Sequence, residues 1–554
     1  MLRCGFSQTR WWRAHDLNIK LTAGDAAIFA IYIFAVLALG IIASRKGRRT
    51  KRDYFLAGDR LPWWMIGASI VAANISSHHF VGVMGTAYAK GFVSMHICWG
   101  SVIVGFNALL WIFLPFYLRN GFYTMPEFLS RRYGEVARGT FAVLIILTYI
   151  FVEISSVLYL GALVLHELLG IPVMLSIVVL AIGTGIYTIT GGLRAVVWTE
   201  MFQLTVLLSG GVALLVATLR ATGGWSALQA NSSNWHLLLP ASDPDFPWTQ
   251  YLGAAICIST FYNATNQFIV QRALAAKDES HARRGIIFAQ YLTFLMPLII
   301  IVPGLAAPKL FPALEKPDLI FPKLVKELLP SGVVGLVMAG LVAAVMSHIS
   351  GAVNSCTTIA AIDFYTPLTR WRRRHMVLAS GHGKIVDESE DNTVRFGRIV
   401  GVVIILLGIV WAQVLMRHSN KPIFIYLLNA YGYFTPGIAT MFLLGILWKR
   451  TTQVGALTAG LLTIPLSLLI ESAIPTMPFL NRTGLVFWIC MAVCAIVSLV
   501  TKPKPESELK GLIWNKESLH LPPEQRSLMR GLRRPIIWWA LVMAMVLYFF
   551  IRYP

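Results

Sequence analysis

Fourteen separate stretches of this chain are apolar enough to cross a bilayer, the first centred on Phe34 and the last on Val542. A spanning helix needs about 20 apolar residues, so this repetition dictates the fold class before any motif is considered. Composition agrees: 56% of the 554 residues are hydrophobic and 13% are charged. The mean hydropathy is +0.66, and ordinary soluble domains carry about 25% charge. A water-facing exterior cannot be assembled from so few polar residues. A soluble enzyme, a disordered chain and a fibrous protein are all excluded, and the expected architecture is an all-α integral membrane protein of about 14 transmembrane helices.

The chain is also basic, with 47 Lys and Arg against 26 Asp and Glu, a net charge of +21. If alternate connections are assigned to opposite sides, 33 of the 47 cations fall on one side. The positive-inside bias makes that side cytoplasmic. An even number of spans then puts both termini outside the cytoplasm, in a cell (inner or plasma) membrane. The charge therefore reads as topology and contact with anionic lipid rather than a nucleic-acid surface, since no soluble stretch interleaves cations with aromatics. The expected divisions are an extracytoplasmic segment over 1–24, a transporter core with its first accessory span over 25–501, a cytoplasmic connection over 502–530 and a last transmembrane helix over 531–554. No cleaved signal is expected at the N-terminus. The stretch 311–329 has helical apolar spacing and is expected to lie at the interface.

Chemistry-bearing motifs are sparse. The sequence has no GxxxxGK[ST], HExxH or GxSxG pattern, so ATP-driven transport and hydrolysis find no support, and no enzyme is expected. Five of the six cysteines lie in apolar stretches, which argues against a disulfide framework.

Two spans carry small and polar residues at their middle. One holds Asn74, Ser76, Ser77, His78 and His79; the other holds Ser259, Thr260, Asn263, Thr265, Asn266 and Gln267. They stand five spans apart. Two five-helix repeats, each opening on a broken helix, are the pattern of inverted-repeat secondary carriers. Unwound backbone at membrane depth is tolerated only where it lines a cavity. Ionisable residues at that depth are costly and mark functional positions: Glu153, Glu200, His78, His79 and His348 qualify.

Long ordered motifs then bring a family into view. They are Gly67-Ala-Ser-Ile-Val-Ala-Ala-Asn-Ile, Tyr123-Thr-Met-Pro-Glu-Phe-Leu, Ser156-Val-Leu-Tyr-Leu-Gly, Gly191-Gly-Leu-Arg-Ala-Val-Val-Trp-Thr-Glu and Asn266-Gln-Phe-Ile-Val-Gln-Arg-Ala-Leu-Ala-Ala-Lys, followed by Pro436-Gly and Phe442-Leu-Leu-Gly-Ile-Leu-Trp-Lys-Arg. Over about residues 23–500 the chain resembles the sodium/solute symporter family, and within it the sodium–sugar cotransporter branch. The resemblance implies a ten-helix inverted-repeat core and alternating access driven by a cation gradient.

Residue by residue, the resemblance implies solute contacts at Asn74 and His79. Cys98 stands where the branch has Glu, and Ser101 is kept. Tyr262-Asn263 stands where the branch has Tyr-Trp, Ser259 where some members have Asn, Thr293 where some have Lys, and Leu428 where a Gln is usual. Glu153 is a candidate new contact. So many lost polar partners point to a small polar solute, a sugar or sugar-like compound other than glucose or galactose. For the cation, the resemblance implies carbonyls of Ala72, Ile75 and Ala344 with side chains at Ser347 and His348, where two hydroxyls are usual. Sodium wants hard oxygen ligands, whereas an imidazole titrates near neutrality. Two readings stay open: sodium bound through Ser347 and the carbonyls with His348 turned aside, or His348 as the coupling group of a proton-coupled or uncoupled carrier. Glu200 takes the place of an Asp near a cation exit route. No cofactor beyond the coupling ion is expected. A transporter-like sensor is the remaining class.

Overall fold

In the computed structural model, residues 22–45, 51–58, 60–231, 235–314, 316–371, 390–418, 423–526, 531 and 534–553 are described. Most of the expected extracytoplasmic segment 1–24 lies outside them. No strand occurs among the described residues, only helices and two isolated bridges.

Eleven helices among the described residues are long and apolar enough to cross a membrane, fewer than the fourteen stretches read from sequence. Two of the eleven run on where sequence places a boundary. Helical backbone is continuous over Val173–Thr222 except at Gly192, where φ is 60° and the chain kinks. A Cβ at Gly192 would strike the Tyr54 carbonyl oxygen, so only glycine makes this bend against the Lys51–Leu56 helix. His78–Arg119 likewise turns at Gly91, where φ is 82° and ψ −145° between the Met84–Lys90 and Met95–Gly100 helices. Conversely, Ala254–Leu274 is interrupted, and each half falls short of a span.

The two interruptions share one geometry. Ile75 ends the Trp63–Asn74 helix at φ −82°, ψ 119°; Asn266 separates Phe261–Thr265 from Gln267–Leu274 at φ −79°, ψ 118°. Extended backbone at Ile75, with Ser76 after it also outside the helix, and at Asn266 thus breaks each helix, and the matched dihedrals are what an internal repeat leaves behind.

Burial sorts the helices into centre and rim. Of the most apolar window of Val333–Trp371, 89% is buried, against 11% for Pro535–Arg552 and 22% for Ala23–Ala43. The rim helices turn Ile31, Phe34, Leu461, Leu469, Val500 and Ile551 outward, as a lipid-facing surface does. At the centre, small residues bring backbones close. Gly67 and Gly285 cross so tightly that a Cβ on Gly67 would lie 2.6 Å from the Gly285 carbonyl oxygen. Gly210 and Gly340 let the Val173–Thr222 and Val333–Ile359 helices approach in the same manner. The expected interfacial helix is shorter than read: Ile320–Leu328, burying Ile320, Phe321, Leu324 and Val325.

On the basic side, connections are pinned by caps and arginines. Thr124 caps the Met125–Tyr133 helix and donates to Asp363 (3.0 Å), which also takes Arg138 Nε at 2.7 Å. The connection beyond residue 502 folds back onto the helix ends. Its carbonyls at Ser518 and Leu519 accept from Arg283 (2.7 and 2.6 Å), and that at His520 from Arg119 (2.6 Å).

Candidate solute and cation site

The breaks put polar groups on the wall of a central cavity of about 140 Å³. One water occupies roughly 10–15 Å³ by this measure, so the space holds about ten water-sized groups, the size of a compact polyol or sugar. Asn74, Ile75, His79, Cys98, Ser101, Glu153, Ser259, Tyr262, Thr293 and Leu428 all line it. Asn263 stands one layer back. Its amide donates to Ser101 Oγ (2.7 Å) and to the Ser259 carbonyl (3.0 Å), in space left by Gly105, where a Cβ would collide with it. Among the described residues, Glu153 is the only carboxylate on the wall, and no Lys or Arg lines it.

The second break lies behind the wall that Ser259 and Tyr262 form. Asn266 Oδ1 accepts from the Phe268 N–H (3.1 Å) and from the Tyr149 hydroxyl, which itself accepts from Phe268 N–H at 3.0 Å. The freed amide at the start of Gln267–Leu274 is thereby satisfied inside the bilayer. Phe268 packs its ring 4.9 Å from that of His348.

The carbonyls freed by the first break meet the Val333–Ile359 helix. Ser347 Oγ donates to Ala72 O at 2.8 Å, and His348 Nδ1 lies 3.0 Å from Ala73 O. Ser347 therefore stands at the Ala72 carbonyl. Ala344 is buried on the same helix, one turn before His348, and Ile75 is on the cavity wall; no hydrogen bond joins either to Ala72. His348 does not face that group. Its Nε2 reaches Glu153 Oε2 at 2.8 Å, and the Tyr431 hydroxyl donates to Glu153 Oε1. Both neighbours of the imidazole are acceptors, so a proton must lie on each line. Either the ring is an imidazolium against a carboxylate, or Glu153 is protonated and donates.

His78 sits beside this pair. The Ser156 hydroxyl donates to the Val152 carbonyl and so accepts from His78 Nε2–H (2.8 Å), leaving Nδ1 to accept from Ser76 Oγ at 3.1 Å. Glu200 lies off the cavity. Fully buried, it forms an ion pair with Arg272 and accepts from Ser69 Oγ; Arg272 Nε also donates to Ser69 at 2.9 Å.

Sequence reading missed Tyr431, Leu427, Phe424, His96, Gln250 and Tyr251 on the wall. Tyr431 was within reach, because it follows Leu428 by three residues on one helix face. His96 lies two residues before Cys98 on the Met95–Gly100 helix, whereas Gln250 and Tyr251 carry no such signal, since only the packing of the Trp248–Leu252 turn brings them in.

A cavity at membrane depth, walled by two broken helices, defines a membrane carrier. The profile of the sodium:solute symporter family matches residues 54–463, and the chain belongs to that family. It is 35% identical over 513 residues to the sodium/glucose cotransporter of Vibrio parahaemolyticus, covering 86% of this chain and 90% of the relative. It is 32% identical over 551 residues to sodium/myo-inositol cotransporter 2 of Oryctolagus cuniculus, covering 89% and 79%. Among solved structures, a substrate-bound, outward-open Na+-coupled sialic acid symporter superposes with a TM-score of 0.75 at 22% identity, over 87% of this chain and 98% of that one. A nucleobase-cation-symport-1 family transporter in a closed conformation gives 0.53 at 16% identity, over 84% and 99%. These two likenesses carry the fold.

Proposed function

We propose that the chain is a sodium-coupled symporter of a small, uncharged, hydroxylated solute, working by alternating access. The observation that carries the reading is the wall of the cavity. Asn74, His79, Ser101 and Ser259 offer hydrogen bonds, Tyr262, Leu427 and Leu428 offer apolar surface, and no Lys or Arg is present to match an anionic solute. A carboxylate-bearing solute would have to leave its charge in a cavity whose described lining carries no Lys or Arg, at a cost of several kcal/mol. The sodium/glucose and sodium/myo-inositol relatives fit the same solute class. The loss of Glu, Lys and Gln at Cys98, Thr293 and Leu428 favours a polyol over glucose or galactose.

Sodium is assigned to the first break, held by the Ala72 and Ile75 carbonyls, Ala344 and Ser347, with His348 turned toward Glu153. Glu200 is assigned to the route of cation release. Orientation follows the Lys and Arg bias, with both termini outside the cytoplasm. Counterflow in proteoliposomes with myo-inositol, glucose, galactose, an amino acid and a sugar acid tests the solute class, with choline replacing sodium at two pH values. Saturable, sodium-dependent myo-inositol exchange lost in Asn74→Ala is expected. Exchange of the sugar acid alone overturns the solute assignment. Uptake that persists in choline and rises at low pH replaces sodium by a proton at His348.

A further inference from the structure

We propose that His78, Glu153 and His348 form a binding site for a divalent transition-metal ion of the zinc class, and that a bound ion ties together the three helical elements that carry them. One ligand atom from each residue lies within 4.8 Å of the others, and all three side chains are buried. Two imidazoles and a carboxylate are a borderline donor set that suits Zn2+ and Co2+ and is poor for sodium or magnesium.

The groups around the three ligands are those that metal sites require. A ligating histidine generally donates its other ring N–H to a carbonyl or carboxylate, which fixes the tautomer and aims the free nitrogen. His348 Nδ1 is held in this way by the Ala73 carbonyl at 3.0 Å, so Nε2 points at the cluster. The second oxygen of Glu153 is held by the Tyr431 hydroxyl. Ser76 and Ser156 stand at the two nitrogens of His78, and the nitrogen that binds the ion exchanges its serine hydroxyl for it while the other keeps its own. His78 and Glu153 both reach the cavity, which leaves a coordination position open to water and a path of entry.

The three ligands stand on different elements: His78 just past the first break, Glu153 within Tyr149–Ile154, and His348 on Val333–Ile359. An ion shared among them holds the broken helix against two neighbours. It stabilises this one arrangement over any in which they separate, by as much as its affinities for the two differ.

The test uses the full chain in detergent, purified through a histidine-free tag and titrated with Co2+, whose visible absorption reports nitrogen and oxygen ligation. Competition by Zn2+ follows. One Co2+ per chain is expected, with an upward shift of the melting temperature on adding Zn2+. His78→Gln and His348→Gln are each expected to weaken binding about tenfold or more, and to abolish the melting shift. His79→Gln, on the neighbouring residue outside the cluster, is expected to keep both. If one of the two ligand variants does not elute as a single folded species, the other decides. No Co2+ binding by the unmodified chain, binding unchanged in the folded ligand variants, or equal loss in His79→Gln each overturns the site.

Discussion

Glu153 and His348 meet at 2.8 Å across 195 residues of sequence, and Tyr431 closes on the second carboxylate oxygen from a third helix. The cluster is buried, so neither partner has water to fall back on. Removing one partner of a buried hydrogen-bonded pair leaves the other unsatisfied at a cost of about 1–3 kcal/mol, and more where the pair is charged. Glu153→Gln is therefore expected to lower the melting temperature in detergent sharply. Adding His348→Ser to that variant removes the stranded imidazole and puts a hydroxyl beside Ser347, so the double variant is expected to melt above Glu153→Gln. A double variant that melts no higher would show that the imidazole gains nothing from the carboxylate.

Glu200 and Arg272 invite the same reasoning with a different readout. The pair is dry, and Ser69 supplies a hydroxyl to both members. Arg272→Gln is expected to leave a buried carboxylate and to reduce folded yield severely, whereas Arg272→Gln with Glu200→Gln recovers most of it. The sodium concentration at half-maximal uptake tests the release role: Glu200→Gln is expected to raise it. A half-maximal concentration unchanged in well-folded Glu200→Gln leaves the pair with a purely structural part.

At the crossing of Gly67 and Gly285, bulk rather than charge decides. A Cβ on Gly67 already lies 2.6 Å from the Gly285 carbonyl oxygen and 2.7 Å from the Phe288 ring. Gly67→Val is expected to force the Trp63–Asn74 and Glu279–Ala306 helices apart. Overpacking of this kind costs about 1–3 kcal/mol or more. Size-exclusion profiles and melting of the purified variant check this, and a native-like melt would show that the crossing can relax.

The parts of this fold legible in sequence are those with a local signature. Both breaks sit in stretches of small polar residues that no lipid-facing helix carries, and Ile75 and Asn266 fall within them. Glu153 stood out because a carboxylate in an apolar run is expensive. Tyr431 did not, because only tertiary packing joins it to Glu153; His348 stood out as an ionisable residue at depth, but without a sign that Glu153 was its partner. Arg272 shows the limit from the other direction. It counts among the basic residues whose bias sets orientation, yet it is buried at 0% exposure. The sequence offered no sign that Glu200, 72 residues earlier, would take it up. The span count differs for a local reason as well, since the kink at Gly192 leaves helix on both sides where hydropathy alone marks two segments.

Cys98 and Thr293 offer a direct test of how the solute is chosen. Both line the cavity, at positions where the resemblance to the sodium–sugar branch implies Glu and Lys. Cys98→Glu alone adds a second carboxylate to a wall that already holds Glu153 and no cation, and is expected to depress exchange of every neutral solute. Thr293→Lys with Cys98→Glu supplies a compensating charge and two strong hydrogen-bonding groups. A hydrogen bond to a charged group is worth about 1.5–3 kcal/mol, and each 1.4 kcal/mol is about tenfold in affinity. The double variant is therefore expected to raise the ratio of glucose to myo-inositol counterflow by about tenfold or more. If the ratio stays at that of the unmodified chain in a folded, transport-active double variant, Cys98 and Thr293 do not set the choice. The discrimination then resides in the wall formed by Tyr431, Leu427 and Gln250, on which the same counterflow ratio can be measured.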